Sequence, residues 1–143
     1  PFDCNRVVYL DDLKMPTVYT YSAQTGQSVW KTYTEQNSCD SIVFRNVLAD
    51  IIQDFPAEHY GLIMWSHGSG WIPAPKPARA RQQRKTIGID NNSNLNTNWG
   101  SELEITDMRK MLEQLDVKWD DIFFDACFMQ CVEADYELRN VCD

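Results

Sequence analysis

Apolar and polar positions repeat at two different periods along this chain, and the switches between them mark its elements. Arg6-Val-Val-Tyr-Leu10 reads as a strand. Asp11 to Pro16 reads as a turn, because a proline is excluded from a central strand. Thr17-Val-Tyr-Thr-Tyr21 and Ser28-Val-Trp-Lys-Thr-Tyr33 alternate in polarity on either side of Gly26, which predicts a hairpin at the edge of the fold. Its aromatics fit sheet packing better than a ligand platform. The period then lengthens. Val43, Phe44, Val47, Leu48 and Ile51 recur at helical spacing behind the capping side chains of Asn37-Ser-Cys-Asp-Ser41. A helix is expected over Ile42–Asp54, ended by Phe55-Pro56.

Leu62-Ile63-Met64-Trp65 is too short for a helix and runs into glycines at 68 and 70, so it reads as a buried strand. Strand, helix and strand in succession are the unit that builds parallel sheets. The stretch Ile72 to Lys85 changes character: three prolines precede Arg79, Arg81, Arg84 and Lys85. It has few large apolar groups and is expected to be an exposed, mobile basic loop over 72–85. Thr86–Asp90 reads as a short strand and Asn91 to Gly100 as another loop. Thr106 can cap a helix over Asp107–Leu115, with Met108, Met111, Leu112 and Leu115 inward. Ile122-Phe123-Phe124 predicts one more strand, and a helix follows over about Gln130–Asn140. The 143 residues suffice for one domain with a real core and are too few for two ordinary ones.

Composition narrows the partners. A net charge of −8 argues against nucleic acid, and it suits cationic peptides. No apolar run approaches a membrane span, and no signal peptide is visible in a chain that opens on Pro1. Cys4, Cys39, Cys127, Cys131 and Cys142 are odd in number and scattered, which makes neither a dense disulfide framework nor paired zinc spacing. No metal site is expected from them.

The candidate chemistry lies at two strand ends. His67 follows one apolar run, on the rim where open α/β sheets bind ligands, and its ordinary pKa lies near neutrality. Cys127 follows another, after Asp125 and Ala126. If the two strands are neighbours, the histidine faces the thiol and can take its proton, which turns a weak nucleophile into a strong one. The bland alternatives are a histidine that merely ends a strand and a buried structural cysteine; two matched strand ends weigh against both.

His67-Gly-Ser-Gly-Trp71 and Asp125-Ala-Cys-Phe-Met-Gln130 resemble the two signatures of the clostripain family of cysteine peptidases. That family shares a caspase-like fold with caspases, gingipains and legumains. The separation, 127 − 67 = 60 residues, has the caspase order of histidine before cysteine. The resemblance runs from about Arg6 to Asp143 and takes in Tyr33-Thr-Glu-Gln-Asn-Ser38 and Tyr136-Glu-Leu-Arg-Asn140. It implies an α/β fold, a caspase-like three-layer αβα sandwich with a mostly parallel central sheet, of which this chain looks like a part. A further strand and helix before Arg6 and more sheet after Asp143 are then expected, on the same chain or on a second one.

The activity so implied is an endopeptidase. Cys127 attacks the scissile carbonyl, and His67 activates the thiol and then protonates the leaving amine. By resemblance the oxyanion is held at Gly68 and the amide of Cys127, and Asp125 helps form a pocket for a basic P1 side chain. Substrates are then peptides or proteins with Arg or Lys at P1. Lys76, Arg79, Arg81, Arg84 and Lys85 offer such sites within the chain, so autoprocessing of a zymogen in the 76–85 loop is expected. The family also implies a secreted or cell-surface bacterial protein. No cofactor is expected, although calcium is required in parts of the family; no carboxylate loop of the EF-hand kind is visible. Two rival readings use the same residues: a catalytically silent peptide-binding domain, and a transpeptidase with the same dyad.

Overall fold

A computed structural model describes residues 5–12, 15–70, 86–90 and 101–142. Three strands open the chain: β1 (Arg6–Leu10), β2 (Thr17–Ser22) and β3 (Gly26–Thr32). They pair antiparallel in the order β1-β2-β3, with Val8 opposite Tyr19 and Ser22 opposite Gly26. The expected hairpin is therefore present, with Gly26 at φ 69° closing its turn. Helix α1 (Ser41–Asp54) follows. Asp40 caps it, its side chain accepting from the backbone N–H groups of Ile42 and Val43. Loss of such a cap costs about 1 kcal/mol. Phe44, Val47 and Leu48 are buried, as the spacing predicted. The hairpin is tied to α1 by Lys31 and Tyr33, both of which donate to the Asp50 carboxylate. Trp30 packs edge-on against Phe55, with ring centroids 5.3 Å apart.

The remaining elements are β4 (Tyr60–Trp65), β5 (Thr86–Asp90), β6 (Ser101–Glu104), α2 (Ile105–Leu112), β7 (Trp119–Asp125) and α3 (Val132–Leu138). β4 and β7 pair parallel, and β5 and β6 antiparallel. Among the described residues the parallel partner of β4 is thus β7 and not β3, the strand that precedes it through a helix. Short turns commit β3 to an antiparallel meander, whereas the long connection from β4 to β7 permits a parallel return.

Several helix boundaries differ from the expectation. α2 begins at Ile105, so Thr106 lies inside the helix, and Glu104 at the cap makes no side-chain capping bond. Burial overrides the capping preference here: Ile105 is 1% exposed and Met108 0%. The helix also ends at Leu112, yet Leu115 still reaches the core from the turn beyond. The last helix starts at Val132, and Cys131 stands at its cap rather than within its first turn. β6 was not anticipated: it begins just past the loop expected over Asn91 to Gly100, and two glutamates in four residues hide the buried Leu103.

The core gathers Phe44, Leu48, Ile87, Leu103, Met108, Leu112, Trp119, Met129 and Leu138. Truncating Met108 to alanine would cost about 2–5 kcal/mol by loss of burial and creation of a cavity. The inner face of the β4–β7 pair, Leu62, Met64, Ile122 and Phe124, packs against this core. Its outer face carries Ile63, Trp65 and Phe123 at 72%, 77% and 60% exposure. Parallel strands with both faces apolar are the kind that sheets of buried strands use.

Candidate active site

The site is built by the carboxyl ends of β4 and β7. Their register sets Ile63 beside Phe123, Met64 beside Phe124 and Trp65 beside Asp125. Alternation turns Leu62, Met64, Ile122 and Phe124 inward and leaves 63, 65, 123 and 125 outward. His67 and Cys127 each lie two residues beyond the last paired positions, and both are exposed. Two histidine-to-strand and cysteine-to-strand expectations therefore meet on one rim. Asp125 is exposed as well, at the last position of β7, two residues before Cys127 in the turn that follows.

The histidine segment is held from both sides. On one side it zips onto β5. The N–H of Gly88 donates to the His67 carbonyl at 2.7 Å, and that of Ser69 to the Thr86 carbonyl at 3.1 Å. The Ser69 and Thr86 hydroxyls are hydrogen-bonded at 2.9 Å, and Thr86 in turn donates to Glu102 at 3.1 Å. Gly68 forms a bridge with Ile87. On the other side the segment presses on the cysteine loop. A Cβ at Gly68 would stand 2.6 Å from the Cys127 carbonyl oxygen and 2.9 Å from the Met129 side chain. Only glycine fits at that distance, which explains the residue between His67 and Ser69.

The other thiols contrast with Cys127. Cys39 lies against β5, its Sγ 3.2 Å from where a Cβ at Gly88 would be. Burial, helped by the nearby Asp90 carboxylate, pushes its pKa up to about 12, so it stays a protonated, inert thiol. Cys131 is half-buried at the start of α3. Cys142 donates to the Asp120 carbonyl at the far end of β7. Among the described residues, no three or more His, Cys, Asp or Glu side chains are arranged to hold a metal ion.

The expected processing residues Lys76, Arg79, Arg81, Arg84 and Lys85, with the whole 72–85 loop, lie outside the described residues. Three features went unread in the sequence. One is the clamp of Thr86 and Gly88 on the histidine segment, for which a strand so near the motif was the available signal. Another is Gly70, taken only as a turn residue. The third is Phe128, which has φ 61°; nothing in the sequence announces a phenylalanine in that conformation.

An α/β fold that sets a histidine and a cysteine on neighbouring strand ends defines the caspase-like class of proteins. Within it the chain belongs to the clostripain family, peptidase C11, whose pattern it matches over residues 3–143. It is similar to a secreted C11 cysteine protease from Bacteroides thetaiotaomicron, whose structure was solved in complex with an irreversible peptide inhibitor. The two share 34% identity at a TM-score of 0.78, over 97% of this chain and 36% of that one. Iotapain, a secreted C11 cysteine protease from the same organism, shares the fold at 22% identity and a TM-score of 0.73, over 97% of this chain and 40% of that one. This chain thus spans well under half the length of those proteases. Among curated proteins none matches.

Proposed function

We propose that this chain is the part of a cysteine endopeptidase that carries the dyad His67 and Cys127. The observation that carries the reading is the parallel register of β4 with β7, which leads both residues off adjacent strand ends into solvent. His67 takes the thiol proton as Cys127 attacks the scissile carbonyl, and returns it to the leaving amine; water then hydrolyses the thioester. The amides of Gly68 and Cys127 are the assigned oxyanion donors. Asp125, outward and two residues from the nucleophile, is the assigned acid for a cationic P1 residue, so cleavage falls after Arg or Lys. Similarity to secreted proteases supports an exported protein.

Maturation is the second element of the reading. Cleavage at Lys76, Arg79, Arg81, Arg84 or Lys85 converts a zymogen to the active form, and the basic, proline-rich composition of that stretch supports it. The exposed apolar face of Ile63, Trp65 and Phe123 supports coverage by further polypeptide, of the same chain or of a second one. The reaction needs no metal, so chelation leaves turnover unchanged; loss restored by calcium would reverse that assignment.

One experiment tests the whole. Wild-type and Cys127→Ala proteins are incubated side by side with peptides ending in Arg, Lys, Asp or aromatic P1 residues, and new termini are mapped by mass spectrometry. Turnover and cuts at 76–85 are expected from the wild type alone. Equal cutting of both proteins would point to an outside protease. Peptide–amine exchange products in place of hydrolysis would favour the transpeptidase, and absence of turnover by the wild type would favour the silent binding domain.

A further inference from the structure

The chain turns sharply just after Cys127. Phe128 has φ 61°, and it is the one non-glycine residue among those described with a left-handed backbone. A bulky residue pays free energy to adopt that conformation. Burial of its ring does not compensate, because Phe128 is 65% exposed. What over-determines the turn is Gly70, buried, with φ 51°. Its backbone lies flat on the Phe128 peptide: a Cβ there would overlap the carbonyl oxygen and stand 2.8 Å from the carbonyl carbon and 3.2 Å from the Phe128 Cβ. Beyond the turn, Met129 is 2% exposed and pins the chain to the core. Strain held in place by its surroundings at a reactive group is a means of preorganisation.

We infer that Gly70 and Phe128 form a steric latch that fixes the direction in which Cys127 presents its thiol to His67. Both are positioning residues; neither touches the reacting atoms. The inference rests on Cys127 being the nucleophile. It requires that residue 70 lack a Cβ and that residue 128 be left-handed, whatever its side chain. The histidine segment cannot retreat to make room, since Ser69 and the His67 carbonyl are bonded to β5.

The test varies the tolerance of position 128 for a left-handed backbone. Asparagine tolerates it and β-branched valine does not. Full-length protein carrying Phe128→Asn, Phe128→Val or Gly70→Ala is compared with wild type for kcat and KM on a peptide substrate. The rate of Cys127 carbamidomethylation by iodoacetamide is followed against pH by mass spectrometry, with a thermal melt for folding. Phe128→Asn should keep kcat within about threefold of wild type, while Phe128→Val and Gly70→Ala lose at least about tenfold in kcat with little change in KM. The pH profile of labelling should shift in the latter two and not in the first, which a contact that only stabilises the fold would not produce. Gly70→Ala can unfold the segment, so the exposed Phe128 series decides. Valine matching asparagine in kcat and labelling would overturn the latch, as would asparagine failing as badly as valine, which would mark the ring as a substrate contact. Failure of the dyad is read separately, as full turnover by Cys127→Ala.

Discussion

The strands β4 and β7 carry a histidine at each end, and the two ends are built to opposite purposes. At the amino end His59 Nδ1 lies 2.9 Å from Asp120 Oδ1, and Asp120 Oδ2 accepts from the backbone of Tyr60 at 2.8 Å. The hydrogen bond to Asp120 raises the pKa of His59, and its counterpart lowers that of Asp120. Each shift favours the charged form, which favours an ion pair. At the carboxyl end His67 shares the rim with a thiol, and among the described residues no carboxylate is hydrogen-bonded to its ring. One parallel register places both histidines; the residue opposite is a carboxylate at one end and, in the proposed dyad, a thiol at the other. Backbone surroundings differ too. His59 is in an open turn, whereas the His67 segment is bonded to β5 and pressed on residues 127–129.

The strongest break in this comparison removes the chemistry from one end only. Cys127→Ala and His67→Ala should each lower kcat/KM by at least about a thousandfold, and the double variant should lose no more, since the pair acts as a unit. Melting temperatures should stay near wild type, because both side chains are exposed. Near-normal turnover of a peptide by either variant would end the peptidase reading.

Next in size is Asp125→Asn. An acid left without its cationic partner is costly, and an amide has no such preference, so kcat/KM for Arg and Lys peptides should fall by about 10–100-fold. Peptides with neutral P1 residues should change little. A uniform fall across all peptides would make Asp125 a structural group.

The thiols sharpen the contrast at smaller cost. Iodoacetamide should label Cys127 first in the folded protein, while the half-buried Cys39, its pKa pushed up to about 12, should react far more slowly until denaturation. Cys131→Ser should retain activity within about twofold, since it stands at the head of α3, packed against the core. Loss of activity by Cys131→Ser in a folded protein would move the nucleophile.

How much of this was legible follows from where each residue's constraint originates. His67 and Cys127 announced themselves because short apolar runs ending in glycine or a small residue encode strand ends locally. The helical stripe of Phe44, Val47 and Leu48 is likewise a local period. Pairing is not local: that β4 joins β7 depends on a return across more than fifty positions, and periodicity is silent on the partner. β6 stayed hidden because its glutamates outweigh Leu103, and Thr106 misled because tertiary burial of Ile105 set the start of α2. Phe128 is the extreme case. Its conformation is imposed by Gly70 from another loop, so no propensity of its own could have shown it.

The smallest effect concerns the amino end and is a matter of pH. His59 has a folded-state pKa raised above its ordinary value by Asp120, so its contribution to stability is fully present below the ordinary imidazole pKa of about 6.5. That contribution fades as pH rises through the higher folded-state value. Asp120, shifted downward, contributes above the ordinary carboxylate range and loses its part as pH falls through its lowered pKa. The pair therefore stabilises in the window between the two, and solvent exposure keeps the effect small. His59→Ala should lower the melting temperature slightly near pH 6 and by less near pH 9, as pH rises through the raised folded-state pKa. Asp120→Ala should do more and at both pH values, because it also strips the acceptor from the Tyr60 N–H, a bond that no titration of His59 removes. Turnover should be unchanged in either folded variant once corrected for stability, since neither side chain is at the rim. Calorimetry across the pH range checks the window: an equal shift near pH 6 and near pH 9 for His59→Ala would mean that the ring contributes by packing and not by charge.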